Sequence, residues 1–212
     1  MDKIILLANS KGGAGKSTVA VNIAAEMALH YPVKLIDADA QRSATLFNHN
    51  RKKAGLDALE VLHVDDERLK KEIAGNRGIM IIDTGAFDTP AYRAAMLKAD
   101  IIIAPTSSSG YDLYGLAMFL QKFQDLQKAK RKVNLYALAN RIEPRSAAYA
   151  EIKAFTDENK KLIKLFKTKI HARKDFITAF DDGRGVTEYQ RNQAGREIKA
   201  LVKEILECLK AK

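Results

Sequence analysis

The sequence predicts an α/β fold, a doubly wound and mostly parallel sheet with helices on both faces. Three observations predict it. Six short, mostly apolar runs, each bounded by Gly, Pro, Asp or Asn, read as strands buried on both faces. Amphipathic stretches lie between them, so successive strands return to one sheet through right-handed crossovers. A glycine-rich turn follows the first run at once, at the strand end where open α/β sheets bind ligands. The 212 residues are 47% hydrophobic and 29% charged, which supplies apolar material for a sizeable core. No repeat, low-complexity stretch or linker divides the chain, so residues 1–212 are expected to form a single domain.

The first strand, Ile4–Ala8, closes at Asn9 and leads into a helix over Ser17–Leu29. Val33–Ile36 lies between Pro32 and Asp37 and precedes a helix over Gln41–Lys53. Leu59–His63 follows Asp57 and leads to the helix Asp65–Ala74. Ile79–Ile82 sits between Gly78 and Asp83, ahead of the helix Pro90–Lys98. Ile101–Ala104 is framed by Asp100 and Pro105 and followed by Tyr111–Lys128. Val133–Ala139 ends at Asn140, before a helix over Ser146–Lys160. The alternating segment Leu162–Ile170 has the period of a further strand, which would divide its lysines between two faces. In the last helix, Ala194–Leu209, Ile198, Leu201, Val202, Ile205, Leu206 and Leu209 form an apolar stripe of helical period. Its opposite face mixes Glu197, Glu204 and Glu207 with Lys199, Lys203 and Lys210, and no Trp or Phe flanks the stripe. A membrane-surface helix would be more uniformly basic, so docking onto the core is favoured.

Several classes are excluded. No apolar run is long enough to span a membrane, and the N-terminus lacks the pattern of a secretory signal. The lone Cys208 rules out a disulfide framework, and His30, His49, His63 and His171 are too scattered for a metal cluster. A cytoplasmic protein is expected. The net charge is +10, and its distribution is uneven. Residues 1–106 hold 14 basic and 13 acidic side chains, whereas residues 107–212 hold 22 and 13. That asymmetry suits a polyanion, nucleic acid or an anionic membrane surface, although a solvated lysine-rich face would read the same way.

The strand ends bring chemistry to one rim. Ser10-Lys11-Gly12-Gly13-Ala14-Gly15-Lys16-Ser17 follows the first strand, Asp37-Ala38-Asp39 the second, Asp83-Thr84-Gly85 the fourth and Pro105-Thr106-Ser107 the fifth. Glycines, ammonium groups, hydroxyls and carboxylates together are what a magnesium–nucleoside triphosphate requires, so the sheet reads as a P-loop NTPase. Gly15-Lys16-Ser17 matches the end of the pattern G-x-x-x-x-G-K-[ST], but Ser10 stands where its first glycine should be. Backbone N–H groups of Gly12, Gly13, Ala14, Gly15 and the helix start at Lys16-Ser17-Thr18 can still close round phosphates. Lys16 would neutralise the β/γ-phosphates and the Ser17 hydroxyl would ligate Mg²⁺. Asp83, at the end of a buried strand, would hold Mg²⁺ or a water of its shell. Asp37 and Asp39 alternate, so only one of them faces the phosphates directly. Lys11 is the departure: a second lysine beside Lys16 is repulsive unless polyphosphate or a carboxylate compensates it.

Here the sequence resembles the deviant Walker A motif, K-G-G-x-x-G-K-[ST], of the ParA/MinD ATPases. Ile36-Asp37-Ala38-Asp39-Ala40-Gln41 is similar to their D-x-D-P-Q motif, with Ala40 in place of proline, and Ile81-Ile82-Asp83-Thr84 to their Walker B. Pro105-Thr106 through Asp112, with Gly115-Leu116, resembles the segment that helps build their dimer face. Arg173…Ala179…Gly183…Val186-Thr187-Glu188 resembles their C-terminal R…A…G-x-x-V-x-E run. The short plasmid-partition ParA proteins of the ParF type are the nearest in size and layout. The resemblance implies ATP and Mg²⁺ as ligands and an ATP-dependent homodimer in which Lys11 reaches the partner's nucleotide. It further implies that Asp39 orients the attacking water while Asp37 supports Mg²⁺ and the Lys16 ammonium. Asn140 stands where relatives set a side-chain amide against adenine, although asparagine is also a common turn residue. Thr84 follows Asp83 where many P-loop ATPases have a glutamate base, so slow hydrolysis is expected, rising on dimerisation. The implied function is DNA partition. A nucleoid-associated dimer would bind DNA nonspecifically through C-terminal-half lysines and arginines and be stimulated by a ParB-like centromere-binding protein, without a membrane. Candidate DNA contacts are Lys160, Lys161, Lys164, Lys167, Lys169, Arg173, Lys174, Arg184 and Arg191. The rival is a MinD-like positioning ATPase at a membrane.

Overall fold

The computed structural model describes residues 1–85, 89–107, 109–127 and 133–210. Seven strands form one sheet in the order β3-β2-β4-β1-β5-β6-β7. They are β1 (Lys3–Leu7), β2 (Val33–Ala38), β3 (Glu60–His63), β4 (Ile79–Thr84), β5 (Ile101–Thr106), β6 (Asn134–Ile142) and β7 (Lys164–His171), and every recorded pairing is parallel. The helices are α1 (Lys16–Ala28), α2 (Ser43–Lys53), α3 (Asp66–Ala74), α4 (Pro90–Lys98), α5 (Gly110–Gln127), α6 (Ala148–Glu158), α7 (Asp175–Asp181) and α8 (Gln193–Lys210). A 3-10 turn, Val186–Glu188, joins the last two.

Strand alternation divides the core in two. Ile4, Leu6, Ile82 and Ile102 point to the face covered by α3, α4, α5 and α6. Ile5, Leu7, Ile81 and Ile103 point to the face covered by α1, α2, α7 and α8. Both faces of β1, β4 and β5 are thus dry, which is why these strands are nearly continuous in Ile and Leu. β1 sits mid-sheet between β4 and β5. The chain winds outward from it in both directions, and the turn after it lies at the switch point.

The expected helices form within about two residues of their bounds. Local signals explain the sharper ones: Asp65 caps α3 by accepting from the Arg68 N–H at 2.8 Å, and Thr89 caps α4 ahead of Pro90. Lys128, expected in the fifth helix, lies outside the described residues. The strands run further than their apolar cores, so that Asp37, Asp83 and Thr106 are strand residues with no more than trace exposure. The alternating segment is indeed a strand, β7, at the sheet edge. α7 had no counterpart in the sequence reading, because seven residues with one buried alanine carry no helical period. α8 docks on β7, α1 and the 3-10 turn, with Ile198, Leu201, Val202, Ile205 and Leu209 buried.

Candidate nucleotide site

The turn after β1 is shaped by two left-handed glycines, Gly13 at φ 75° and Gly15 at φ 87°. A side chain at Gly15 would also collide with the Asn140 amide. That amide donates to the Ala14 carbonyl at 2.9 Å, and Arg141 Nη1 donates to the Gly13 carbonyl at 2.7 Å. Both donors come from the irregular end of β6, where the register on β7 shifts and Arg141 takes φ 55°. The loop carbonyls are therefore held from behind. No side chain caps α1, so its first N–H groups remain available to an anion.

Lys16 is buried, and its ammonium donates to the Lys11 carbonyl at 3.1 Å. Burial lowers its pKa, while the charges of Asp83 and Asp39 oppose that shift. Asp83 faces Leu7 and Asp37 across the sheet and is fully buried. Neither of its carboxylate oxygens has a hydrogen-bond partner by geometry. Burial pushes its pKa up to about 7; the neighbouring Ser17 hydroxyl and Lys16 ammonium pull it down, and Asp37 and Asp39 push it up. A buried, unpartnered carboxylate beside a hydroxyl and an open set of backbone N–H groups fits a magnesium–triphosphate. Such a ligand would be held by residues 12–18, with Lys16 on its phosphates and Ser17 and Asp83 on the metal or its water shell.

The other two strand-end carboxylates face differently. Asp37 accepts from the Thr45 N–H at 2.8 Å, from the Thr45 hydroxyl at 2.7 Å and from the Asp39 N–H at 3.3 Å. It anchors the start of α2, and among the described residues no ion pair joins it to Lys16. Asp39 is half-buried on the rim, with one oxygen accepting from the Gln41 N–H at 3.0 Å.

Lys11 turns back onto its own chain. Its ammonium pairs with Asp112 of α5, which also accepts from the Ser107 and Ser109 hydroxyls. Burial would raise the Asp112 pKa, but Lys11, Ser107 and Ser109 outweigh it and hold the carboxyl below its usual range. The compensating carboxylate that a second lysine requires is thus supplied within the subunit. Beside this pair, Tyr111, Tyr114 and Met118 are exposed at 82%, 67% and 39% and flank a cleft with Lys11 and Gly115.

A cleft of about 520 Å³ opens on the far side of the phosphate loop. Thr18, Asn140, Arg141, His171, Phe176 and Phe180 are among its walls, a mixture of apolar surface and polar edges suited to a nucleobase. The sequence named Asn140 as a candidate here but gave no helical period for the wall from α7. Phe176, Ile177 and Phe180 are the signal that could have found it. Asn140 spends one amide proton on the loop and still lines the cleft. The C-terminal run brackets the same region. Arg173 pairs with Glu197 at 2.8 Å, as does His171. Gly183, at φ 66°, lies against the Arg51 backbone too closely for any side chain, and Glu188 takes two hydrogen bonds from Arg51, at 2.6 and 2.8 Å.

Residues 5–186 match the CobQ/CobB/MinD/ParA nucleotide binding domain. The chain belongs to this family. Among curated proteins, it is 29% identical over 210 residues to the maintenance of carboxysome distribution protein A of Gloeobacter kilaueensis, covering 98% of this chain and 94% of that one. It is 30% identical over 162 residues to Protein ParA of Rhizobium radiobacter, covering 74% and 73%. Among solved structures, a Cyanothece McdA variant in complex with ATP superposes with a TM-score of 0.76 at 19% identity, over 97% of this ParA/MinD-type chain and 96% of that one. At that identity the likeness establishes the fold. Among the described residues, no helix is long and apolar enough to cross a membrane.

Proposed function

We propose that this ParA/MinD-family chain is one ATPase domain, residues 1–212, that distributes a cargo along DNA. Mg²⁺ and ATP are held by Lys11 to Thr18 and by Asp83, with Asp37 supporting the metal side of the site from behind and Asn140 at the base. Two subunits close face to face, and Lys11 leaves Asp112 for the partner's phosphates. ATP supplies the phosphoryl group transferred to water. Lys16 neutralises charge, and Asp39, with one oxygen unspent among the described residues, orients the water. The observation that carries this reading is Lys11: a second lysine of the phosphate loop whose ammonium is parked on a carboxylate, beside an exposed face of Tyr111, Tyr114 and Met118. An uncovered aromatic patch of that kind is typical of a protein contact.

The dimer binds nucleoid DNA nonspecifically in the cytoplasm, and a centromere-binding partner of ParB type stimulates slow hydrolysis and release. A DNA replicon is the first choice of cargo. A protein assembly is the second, favoured by the relatives named for carboxysome distribution, which match over nearly the whole chain. The test is size-exclusion of wild type and Lys11→Ala with ADP and with a non-hydrolysable ATP analogue. Wild type should shift to a dimer with the analogue only, and Lys11→Ala should not shift while still binding nucleotide. A wild-type monomer under both conditions would reject the scheme.

A further inference from the structure

Four side chains of the basic run from Lys153 to Lys174 are poorly placed to hold a polyanion together. Lys153 pairs with Asp157 and Arg173 with Glu197. Lys164 lies over the Tyr136 ring on the α8 side of the sheet, whereas Lys169 lies over Tyr149 of α6 on the other side. These charges are compensated or divided between two faces.

A different group is neither. Between the 3-10 turn and the start of α8, a cavity of about 220 Å³ is lined by Arg191, Arg196, Lys199, Thr187, Asn192 and Gly195. Arg191, Arg196 and Lys199 are exposed, and among the described residues none has a carboxylate at ion-pair distance. No acidic residue lines the cavity. Asn192 is fixed, its amide donating to the Val186 carbonyl at 2.6 Å and its oxygen accepting from the Gly195 N–H. The Thr187 hydroxyl, buried in the wall, has no partner. Gly195 admits no side chain, since a Cβ would stand 2.8 Å from the Val186 carbonyl oxygen, so the wall there is bare backbone. Three uncompensated cations round a rigid cavity repel one another unless an anion joins them.

We infer that this cavity seats a backbone phosphate of duplex DNA, with Arg191, Arg196 and Lys199 as its contacts. The inference rests on the DNA reading above and moves the contact surface from the lysine run to the start of α8. The site is separate from the nucleotide cleft. The 3-10 turn meets α1 at Asn22 and Ala25, roughly 10 Å along the helix from Lys16 at 1.5 Å per residue.

The experiment is fluorescence anisotropy of a labelled random-sequence duplex with the full chain and Mg-ATP, across a potassium chloride series. Wild type is compared with the triple variant R191A/R196A/K199A and with the control K160A/K161A, and binding of a fluorescent ATP analogue is measured on each. The triple variant should bind duplex at least tenfold more weakly near physiological salt. Its log-affinity slope against log salt should flatten by about 0.9, the value for one neutralised phosphate. ATP-analogue affinity should be unchanged, and the control should stay within twofold of wild type. If wild type binds DNA and the triple variant matches it, this site is wrong and the DNA reading survives. If wild type binds no DNA, the DNA reading falls and this site with it. If the triple variant loses only anionic-vesicle binding, measured in parallel on phosphatidylglycerol vesicles, the cavity serves lipid headgroups and the inference is overturned.

Discussion

At the scale of single residues, the site is organised by two ammonium groups and the carboxylates that answer them. Lys11 is held by Asp112 in the lone subunit. Because the lysine is over a third exposed, that pair is worth only about 0.5–1 kcal/mol. The proposed dimer would break two such pairs, so Asp112→Asn should lower its dissociation constant roughly 5- to 30-fold. Sedimentation with a non-hydrolysable analogue would measure it, and an unchanged or weaker dimer would show that Asp112 does not restrain Lys11. Asp39 makes a different prediction. Among the described residues its side chain is committed only through the Gln41 N–H, so Asp39→Ala should bind Mg-ATP normally and remain dimeric after wild type has reverted to monomer. Rapid phosphate release by that variant would remove Asp39 from the reaction. That Lys16, Ser17, Asp37, Asp39 and Asp83 meet at one end of the sheet was legible in the sequence, because each stands at or just past the end of a strand that the apolar runs mark. Asp112 as the specific partner of Lys11 was not, since 101 residues separate the two and only the closing of β1 against β5 brings them together.

At the scale of elements, the same distinction holds. Strands and long helices could be read because burial on two faces or one imposes a period. α7 was not legible, being short and determined by what it packs on: Phe180 against Phe47 of α2, at 5.8 Å between rings. The linkage of α2 to the end of α7 was equally hidden. Arg51 is buried in α2 and reaches the Gly183 carbonyl and both oxygens of Glu188. Burial opposes ionisation of Glu188, but Arg51 and the Gly185 N–H outweigh it and depress its pKa. A depressed carboxyl stabilises the fold fully above its unfolded value and loses that contribution as pH falls through the native one. Glu188→Gln leaves a buried guanidinium unpaired, at a cost of about 3 kcal/mol, which is roughly a 10 °C drop in Tm for a chain of this length. Thermal melts should show that gap at pH 7 and show it closing below about pH 4.5, where wild type loses the same charge. A gap constant with pH would mean the cost is steric.

At the scale of the whole molecule, the placement of α8 bears on whether lipid can compete with the proposed DNA partner. In the sequence, its apolar stripe fitted either a core contact or a bilayer, and only the mixed charge of the outer face spoke for the core. In the fold, Ile198, Leu201, Val202, Ile205 and Leu209 are buried against β7, α1 and the 3-10 turn. Exposing five such side chains at about 1.5–3 kcal/mol each would cost about as much as a domain's entire stability. Undocking α8 would also bare the apolar face of the body that these side chains cover, so the helix is expected to stay docked. What remains outside is its charged face, which attracts anions only through screened Coulomb forces that decay over about 8 Å at physiological ionic strength. In co-sedimentation with phosphatidylglycerol vesicles and Mg-ATP, any association should vanish by about 0.3 M salt. Salt-resistant pelleting would mean an apolar segment has inserted, and would restore the membrane-positioning rival at the expense of DNA.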